Sequence, residues 1–206
     1  MTSGASRYNS SVLHLVEETV RAGPLELRIL RPPNADALID EARFEEDEFM
    51  PYWAELWASG VALAAAVTAR DLGGARVLEL GCGLGLPSVA AALSGASVLA
   101  TDWAPEALEV TRRNAERNGV RVETLLVDWS APEPLLERTP FELVLCADLL
   151  YESRNVDALL ALLPRLGAEV LLGEPGRPTA ARFFESAERE WAIGREGEVN
   201  VLRRLG

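Results

Sequence analysis

Three glycines that alternate with other residues mark the part of the chain best suited to hold a ligand: Gly81, Gly83 and Gly85. A short apolar run at 77–80 precedes them, and a second apolar run at 86–93 follows, with Pro87 in its first turn. This order predicts a strand, a tight glycine loop and a helix start, the arrangement by which open α/β sheets hold nucleotides. Glycine permits the tight turns and the close approach of backbone to ligand that such a loop needs.

The spacing of this loop excludes two common phosphate-binding patterns. It reads Glu79-x-Gly81-x-Gly83-x-Gly85, whereas the dinucleotide fingerprint is G-x-G-x-x-G. No Gly-Lys-Ser/Thr follows, and the chain contains no lysine, so a P-loop is excluded. On its own, the pattern is also compatible with a plain glycine-rich turn of another α/β protein.

Acidic residues follow four consecutive predicted strands, each at the point where its strand ends: Asp102, Asp128, Asp148 and Glu174. Ligands of open α/β sheets bind beyond the carboxyl ends of the strands, so these side chains are expected at one site. Asp102 ends the strand that follows the glycine loop, where a carboxylate can accept hydrogen bonds from both hydroxyls of a ribose. Taken singly, each acid could also be a helix N-cap or a surface group.

The elements that position these residues alternate between strand and helix. We predict an α/β fold that is Rossmann-like and doubly wound, with a mostly parallel seven-stranded sheet, helices on both faces, an antiparallel C-terminal edge hairpin and an N-terminal β-hairpin extension. The predicted sheet strands are 77–80, 97–102, 121–127, 141–147, 170–172, 191–194 and 199–203, and the N-terminal hairpin is 12–20 with 25–30. The predicted helices are 59–70, 86–93, 104–118, a short one near 135, 156–163 (curtailed by Pro164) and 179–188.

Length and composition limit the class of protein. The 206 residues are enough for one domain, predicted over 1–206, with the hairpin and an acidic segment in 1–49 and the ligand-binding core in 50–206. The net charge of −12 disfavours a nucleic-acid partner, because phosphate binding needs concentrated positive charge. No apolar run is long enough to span a bilayer, and no secretory leader is evident, so no membrane partner is expected.

Cysteine and histidine usage narrows the chemistry further. Cys82 and Cys146 lie in apolar segments, which predicts buried thiols and a reducing, cytoplasmic compartment. The one histidine, His14, falls in the predicted first strand and is expected on the surface. A chain with a single histidine offers almost no residues for a histidine-based catalytic triad or a histidine-rich metal site, and we predict no metal.

Two adjacent stretches before the core are open to more than one interpretation. Residues 36–48 are strongly acidic, which fits either a solvated face or a rim that attracts a basic substrate. Three aromatic residues then follow within a few positions, Tyr52, Trp53 and Trp57. They could pack in the core or line a ligand cleft just ahead of a helix.

The glycine loop and the acids resemble the class I, seven-strand S-adenosylmethionine-dependent methyltransferases. In that family this loop wraps the amino-acid part of the cofactor, and an acid at the position of Asp102 binds the ribose. Residues at the positions of Asp128 and Trp129 contact the adenine. By this resemblance the cofactor is S-adenosylmethionine, and no metal is required.

The motif Asp148-Leu-Leu-Tyr151 resembles the Asp-x-x-Tyr of the protein-lysine branch of these enzymes. The Asn/Asp-Pro-Pro-Tyr of the nucleic-acid and glutamine-amide branch is absent. Segments 51–57 and 173–178 also resemble the lysine branch, in particular the electron-transfer-flavoprotein β-subunit lysine methyltransferases and their bacterial relatives. The resemblance runs from about residue 50 to 178. It departs at Glu174, where these relatives usually carry aspartate, and at Ala58, where they often carry proline.

The resemblance implies a role for each candidate residue. Asp148 and Tyr151 would be catalytic, with Asp148 positioning an incoming amine by a charge-assisted hydrogen bond and Tyr151 shaping its pocket. Because an ammonium has no lone pair, the acceptor lysine must lose its proton before it displaces the sulfonium. The residues expected to bind the cofactor are Trp57, Glu79, Gly81, Gly83, Gly85, Asp102, Trp103, Asp128, Trp129 and Ala147.

Several functions remain open at this point. The foremost is methyl transfer to an exposed lysine of a protein substrate. The same fold and cofactor site would serve N-methylation of a small amine or pyridine. A cofactor-binding or interaction module without turnover is a third alternative, and an NAD-dependent oxidoreductase is a weaker fourth, because its glycine spacing is absent.

Overall fold

In a computed structural model, which describes residues 13–35, 38 and 51–206, the core is a seven-stranded mixed sheet. Its strands are β3 (Arg76–Leu80), β4 (Ser97–Asp102), β5 (Glu123–Leu126), β6 (Leu143–Ala147), β7 (Glu169–Gly173), β8 (Trp191–Glu196) and β9 (Val199–Arg204). Their order in the sheet is β5-β4-β3-β6-β7-β9-β8, with parallel pairing from β5 to β7 and antiparallel pairing from β7 to β8. The predicted fold class is confirmed.

Helices cover both faces of this sheet, because its strands bury side chains alternately on each side. The helices are α1 (Ala58–Thr68), α2 (Leu86–Leu93), α3 (Pro105–Arg117), α4 (Glu133–Leu136), α5 (Ser153–Leu166) and α6 (Ala180–Ala187), and a short 3₁₀ helix spans Tyr52–Ala54. Val77 packs in the cluster that includes α1, α2 and α3, whereas its neighbour Leu78 packs in the cluster that includes α5 and α6.

The N-terminal hairpin lies outside the main sheet. Its strands are β1 (Val16–Ala22) and β2 (Leu25–Arg31), which pair antiparallel. Leu27 and Ile29 of β2 are fully buried in the same cluster as α1 and α3, so the hairpin adds a layer over that face. His14 is exposed just before β1, as predicted, although the strand begins only at Val16.

Several predicted boundaries differ from the structure by a few residues. Pro164 was expected to end its helix, but α5 continues to Leu166. Proline so near the end removes only one hydrogen bond, to the Leu160 carbonyl, and the burial of Leu163 and Leu166 keeps the last turn in place. The third sheet strand, predicted at 121–127, is shorter in the structure, at Glu123–Leu126.

Other predictions concern single residues or segments. Cys82 and Cys146 are free and buried, as expected. None of the helices in the described part of the chain is long and apolar enough to cross a membrane. The acidic segment 36–48 falls outside the described residues except for residue 38, so its predicted role as a rim stays a prediction.

Candidate functional site

A cavity of about 910 Å³ opens at the carboxyl ends of β3, β4 and β6. Its size suits a nucleoside-sized ligand. All twelve side chains or glycines proposed from the sequence line it: Trp57, Glu79, Gly81, Gly83, Gly85, Asp102, Trp103, Asp128, Trp129, Ala147, Asp148 and Tyr151. The structure thus brings these residues together, while their individual roles stay predictions.

The glycine loop forms one wall of the cavity, and glycine is required there for two separate reasons. Gly85 caps the N-terminus of α2 in a left-handed conformation with φ of +74°. A Cβ atom at Gly83 would lie 3.0 Å from the backbone oxygen of Trp53, so the segment before α1 passes directly against the loop. A side chain at either position would strain the backbone or displace a wall of the cavity.

Asp102 fastens the glycine loop to the end of β4. Its carboxylate accepts the Gly83 N–H at 3.0 Å and the Ala104 N–H at 2.9 Å. The side chain lies almost wholly inside, and this burial raises the pKa of the Asp102 carboxyl to about 6. Asp102 therefore shapes the loop and also offers its remaining lone pairs to the cavity, where the predicted ribose contact would be made.

Glu79 is the most deeply buried acid of the site. One of its oxygens accepts the Ser88 N–H at 2.9 Å and a short hydrogen bond from the Ser88 hydroxyl, which ties β3 to the first turn of α2. Burial raises the pKa of Glu79 to about 8, and the nearby Asp102 charge acts in the same direction. Ser88 is a partner that the sequence analysis did not identify, although its place in the first turn of the helix fits a donor for such an acid.

The residues predicted to meet an adenine lie at the outer rim. Asp128 is exposed, and its carboxylate accepts the N–H and the hydroxyl of Ser130, each at 2.8 Å. These hydrogen bonds, the N–H first, lower the pKa of Asp128, so this acid is ionised at neutral pH. Trp129 packs partly against the core, whereas Trp103 is about half exposed.

At the opposite end of the cavity, Asp148 meets a residue that the sequence analysis did not propose. The Arg177 guanidinium donates from Nε to one carboxylate oxygen at 2.8 Å and from Nη2 to the other at 2.7 Å. This bidentate pairing leaves the Asp148 side chain only 4% exposed. Asp148 adopts a left-handed backbone with φ of +54°, which is uncommon for a residue other than glycine.

Arg177 belongs to segment 173–178, which was singled out in the sequence only as a whole. Glu174 accepts hydrogen bonds from the Gly176 N–H and the Arg177 N–H, and so fixes the turn that carries Arg177. Of the four acids predicted at strand ends, Glu174 thus serves the loop and does not line the cavity. The pairing of Arg177 with Asp148 joins residues 29 positions apart, which no local pattern indicates.

Aromatic rings line the cavity next to this ion pair. The rings of Tyr52 and Tyr151 lie 5.2 Å apart, and Trp57 lies 6.3 Å from Tyr52. Trp57 also donates its indole N–H to the Tyr52 carbonyl at 2.9 Å, and its ring faces the Arg177 guanidinium at 5.7 Å. Of the two interpretations of the aromatic stretch, lining a cleft therefore holds for Tyr52, Trp53 and Trp57, and Trp53 also packs against the core.

The donor set and shape of this cavity fit S-adenosylmethionine. The loop presents backbone in a cradle that a Cβ atom at Gly83 would crowd. Carboxyl groups, which can accept hydrogen bonds from ribose hydroxyls, and aromatic faces, which attract cations, line the same cavity. The glycine spacing and the acids Asp102 and Asp128 match the sequence pattern of the class I methyltransferases described above.

Comparison with known proteins places the chain in a family. Residues 40–189 match the lysine methyltransferase family. The electron transfer flavoprotein β-subunit lysine methyltransferase of Xenopus laevis is 38% identical over 135 residues, which is 62% of this chain and 53% of that protein. The ribosomal protein L11 methyltransferase of Pseudomonas putida is 31% identical over 146 residues, 66% of this chain and 47% of that protein. The chain thus spans about half the length of these relatives.

Solved structures agree on the fold. A TehB-like S-adenosylmethionine-dependent methyltransferase from Corynebacterium glutamicum superposes with a TM-score of 0.59 and 21% identity, covering 81% of this chain and all of that one. At this level of identity the likeness shows the fold alone. The family match covers well over half of the chain, and the chain therefore belongs to the lysine methyltransferase family.

Proposed function

We propose that this protein transfers a methyl group from S-adenosylmethionine to the side-chain amine of a lysine in a protein substrate. The observation that carries the proposal is the position of the Asp148–Tyr151 motif, which lines the same cavity as the glycine loop and Asp102. The family match and the flavoprotein-directed relatives support lysine as the acceptor. Other relatives are named as methyltransferases of a different protein, ribosomal protein L11, so the particular protein substrate has to be found by experiment.

Each wall of the cavity would hold one part of the cofactor. The glycine loop with Glu79 would hold the amino-acid part, Asp102 the ribose hydroxyls, and Asp128 with Trp129 the adenine. Trp57 would lie beside the sulfonium, because an aromatic face attracts a cation. When bound, S-adenosylmethionine supplies a methyl carbon to which the lysine nitrogen bonds as the carbon–sulfur bond breaks and its electron pair returns to sulfur.

This chain contributes alignment and control of charge. Holding nucleophile and methyl carbon in line accounts for most of the rate that such a displacement needs. Tyr52, Trp57 and Tyr151 form an aromatic mouth that would admit the narrow aliphatic stem of a lysine and exclude water around its amine. Arg177 takes up one lone pair on each Asp148 oxygen, and the remaining lone pairs can accept an N–H from a neutral amine.

A labelling experiment tests the proposal. Purified protein is incubated with methyl-labelled S-adenosylmethionine and either bacterial lysate or purified electron-transfer flavoprotein. We expect label in a protein band, on lysine after hydrolysis. The chain contains no lysine, so it adds no background of its own on that residue. Label confined to the small-molecule fraction would favour a small amine as the acceptor, and no transfer at all would contradict an active enzyme. The cytoplasmic location stays a prediction.

A further inference from the structure

The Asp148–Arg177 ion pair carries an inference that rests on the proposed function. A lone carboxylate beside the acceptor would favour the protonated lysine, which cannot react. Here both Asp148 oxygens are already paired with one guanidinium. We infer that Arg177 is a positioning residue that balances the charge of Asp148 and thereby keeps the acceptor amine unprotonated at the moment of transfer.

Arg177 is held in place from several sides, which favours a fixed partner over a side chain that swings away when substrate arrives. Its backbone N–H is bound by Glu174, and its guanidinium lies against the ring of Trp57. Thr179, two residues on, donates its hydroxyl to the Leu150 carbonyl, so the loop is also fixed to the segment that follows β6. The hydrogen bonds with Asp148 raise the pKa of Arg177, so the guanidinium stays charged.

The remaining titratable groups around the pair are mostly acidic. Tyr52 and Glu174 face Arg177, and Glu152, Arg154 and Asp102 act on the adjacent Tyr151. Glu55, Glu79 and Asp128 also line the cavity. Among the described lining residues, six carboxyl groups, of which buried Glu79 is protonated at neutral pH, therefore accompany two guanidiniums, those of Arg154 and Arg177. Arg154 is 73% exposed and pairs with Glu152, so solvent screens its charge and Arg177 is left as the main counterweight to Asp148.

The dependence of kcat on pH tests this inference, because kcat reports groups in the enzyme–substrate complex. The acceptor is purified electron-transfer flavoprotein, or the lysate protein that the wild type labels, at saturating concentration with saturating S-adenosylmethionine. Arg177→Gln leaves Asp148 uncompensated, so the midpoint of the rise in kcat should move up by about one pH unit or more. Arg177→Lys keeps the charge and should lower kcat with little change of midpoint.

Two further variants separate charge balance from loss of structure. The double variant Asp148→Asn with Arg177→Gln removes both charges, so its midpoint should return towards that of the wild type even if kcat is low. Arg154→Gln removes a positive charge from the same cavity at an exposed position and should leave the midpoint unshifted. A purely structural role for Arg177 predicts lower kcat at every pH with an unmoved midpoint.

The outcomes distinguish this inference from the proposed function. If the wild type methylates protein lysine but the midpoint of Arg177→Gln is unshifted, this inference is overturned and the proposed function stands. If Arg177→Gln fails to fold by circular dichroism, Asp148→Asn decides, because it leaves the Arg177 guanidinium without its counter-charge. The inference then predicts a lower midpoint, whereas a purely structural role of the pair predicts an unmoved midpoint. If the wild type labels no protein lysine at any pH, the proposed function is overturned, and with it the inference that rests on it.

Discussion

Asn114 pairs with Leu30 as a neighbouring strand would. Its side-chain amide accepts the Leu30 N–H at 2.7 Å and donates to the Leu30 carbonyl at 3.1 Å, so a helix residue satisfies the free edge of β2. The same amide donates to the Leu84 carbonyl at 2.8 Å, inside the glycine loop. One turn later, Asn118 repeats the pairing with Arg28 at 3.0 and 2.8 Å. The N-terminal hairpin and the candidate cofactor loop are thus joined through one side chain.

This arrangement predicts different effects for the two asparagines on cofactor binding. Asn114→Ala should raise the Kd for S-adenosylhomocysteine by roughly three- to tenfold, the worth of about one hydrogen bond, because the loop loses a fixed contact. Asn118→Ala also detaches the hairpin edge but touches no residue of the loop, so its Kd should stay within about twofold. Isothermal titration calorimetry below the unfolding temperature measures both.

Thermal unfolding provides the control for this pair. Both variants should lower Tm, since each removes two hydrogen bonds to β2. Equal loss of affinity in the two variants would show that the hydrogen bond from Asn114 to the Leu84 carbonyl has no specific effect on cofactor binding.

Asp102 should contribute to binding through the cofactor ribose. Asp102→Asn should weaken S-adenosylhomocysteine binding by about ten- to a hundredfold, because hydrogen bonds to a charged acceptor are worth about 1.5–3 kcal/mol. Asp157→Asn, which breaks an exposed ion pair with Arg182, is the matched control and should leave the Kd unchanged. Titration of the 2′-deoxy analogue refines the test, because wild type should discriminate against it and Asp102→Asn should not. Unchanged affinity in Asp102→Asn would remove the assignment.

Buried Glu79 predicts a particular dependence of stability on pH. Its pKa is about 8 in the folded protein against an ordinary value of 4.5, so the folded state binds more protons between these values. Its contribution is fully present below about pH 4.5 and is lost as the pH rises through about 8. Asp102, with a pKa of about 6, acts in the same direction over a lower range.

Urea unfolding followed by tryptophan fluorescence between pH 5 and 8.5 measures this loss. The free energy of unfolding of the ligand-free wild type should fall as the pH rises, and Glu79→Gln should flatten that fall. Glu185→Gln, at an exposed position, should reproduce the slope of the wild type. A wild-type slope in Glu79→Gln would mean that Glu79 is ionised across this range.

Two variants of Tyr151 distinguish a role of its ring in shaping the pocket from a role of its hydroxyl in proton transfer. Burial raises the pKa of its hydroxyl, so it remains neutral at working pH. If the ring shapes the mouth with Tyr52, Tyr151→Phe should keep kcat within about tenfold of the wild type. Tyr151→Ala should lose at least tenfold more, because a 1 Å misplacement of reacting groups can cost about a hundredfold. Steady-state kinetics with labelled cofactor measures both, and an equally large loss in Tyr151→Phe would assign a role to the hydroxyl.

Local patterns in the sequence were sufficient for much of this architecture. The run from β3 through the glycine loop into α2 follows from apolar periodicity and glycine spacing, and the acids at strand ends follow from the parallel sheet that these elements imply. Arg177 and Asn114 could not be found in this way, because their partners lie 29 and 84 residues distant in the chain. Pro164 was misjudged because burial of the leucines around it outweighs its local preference.

The most direct test of the central claim is peptide mass spectrometry of purified electron-transfer flavoprotein and of lysate proteins after incubation with S-adenosylmethionine. Wild type should add the mass of one or more methyl groups to a lysine-containing peptide. Asp148→Asn is the matched variant, because asparagine tolerates the left-handed backbone of Asp148 while its ion pair is lost. It should reduce the rate by a hundredfold or so and leave S-adenosylhomocysteine binding intact, as expected for a misplaced acceptor group. Methylation confined to small molecules, or equal methylation by Asp148→Asn, would contradict the account.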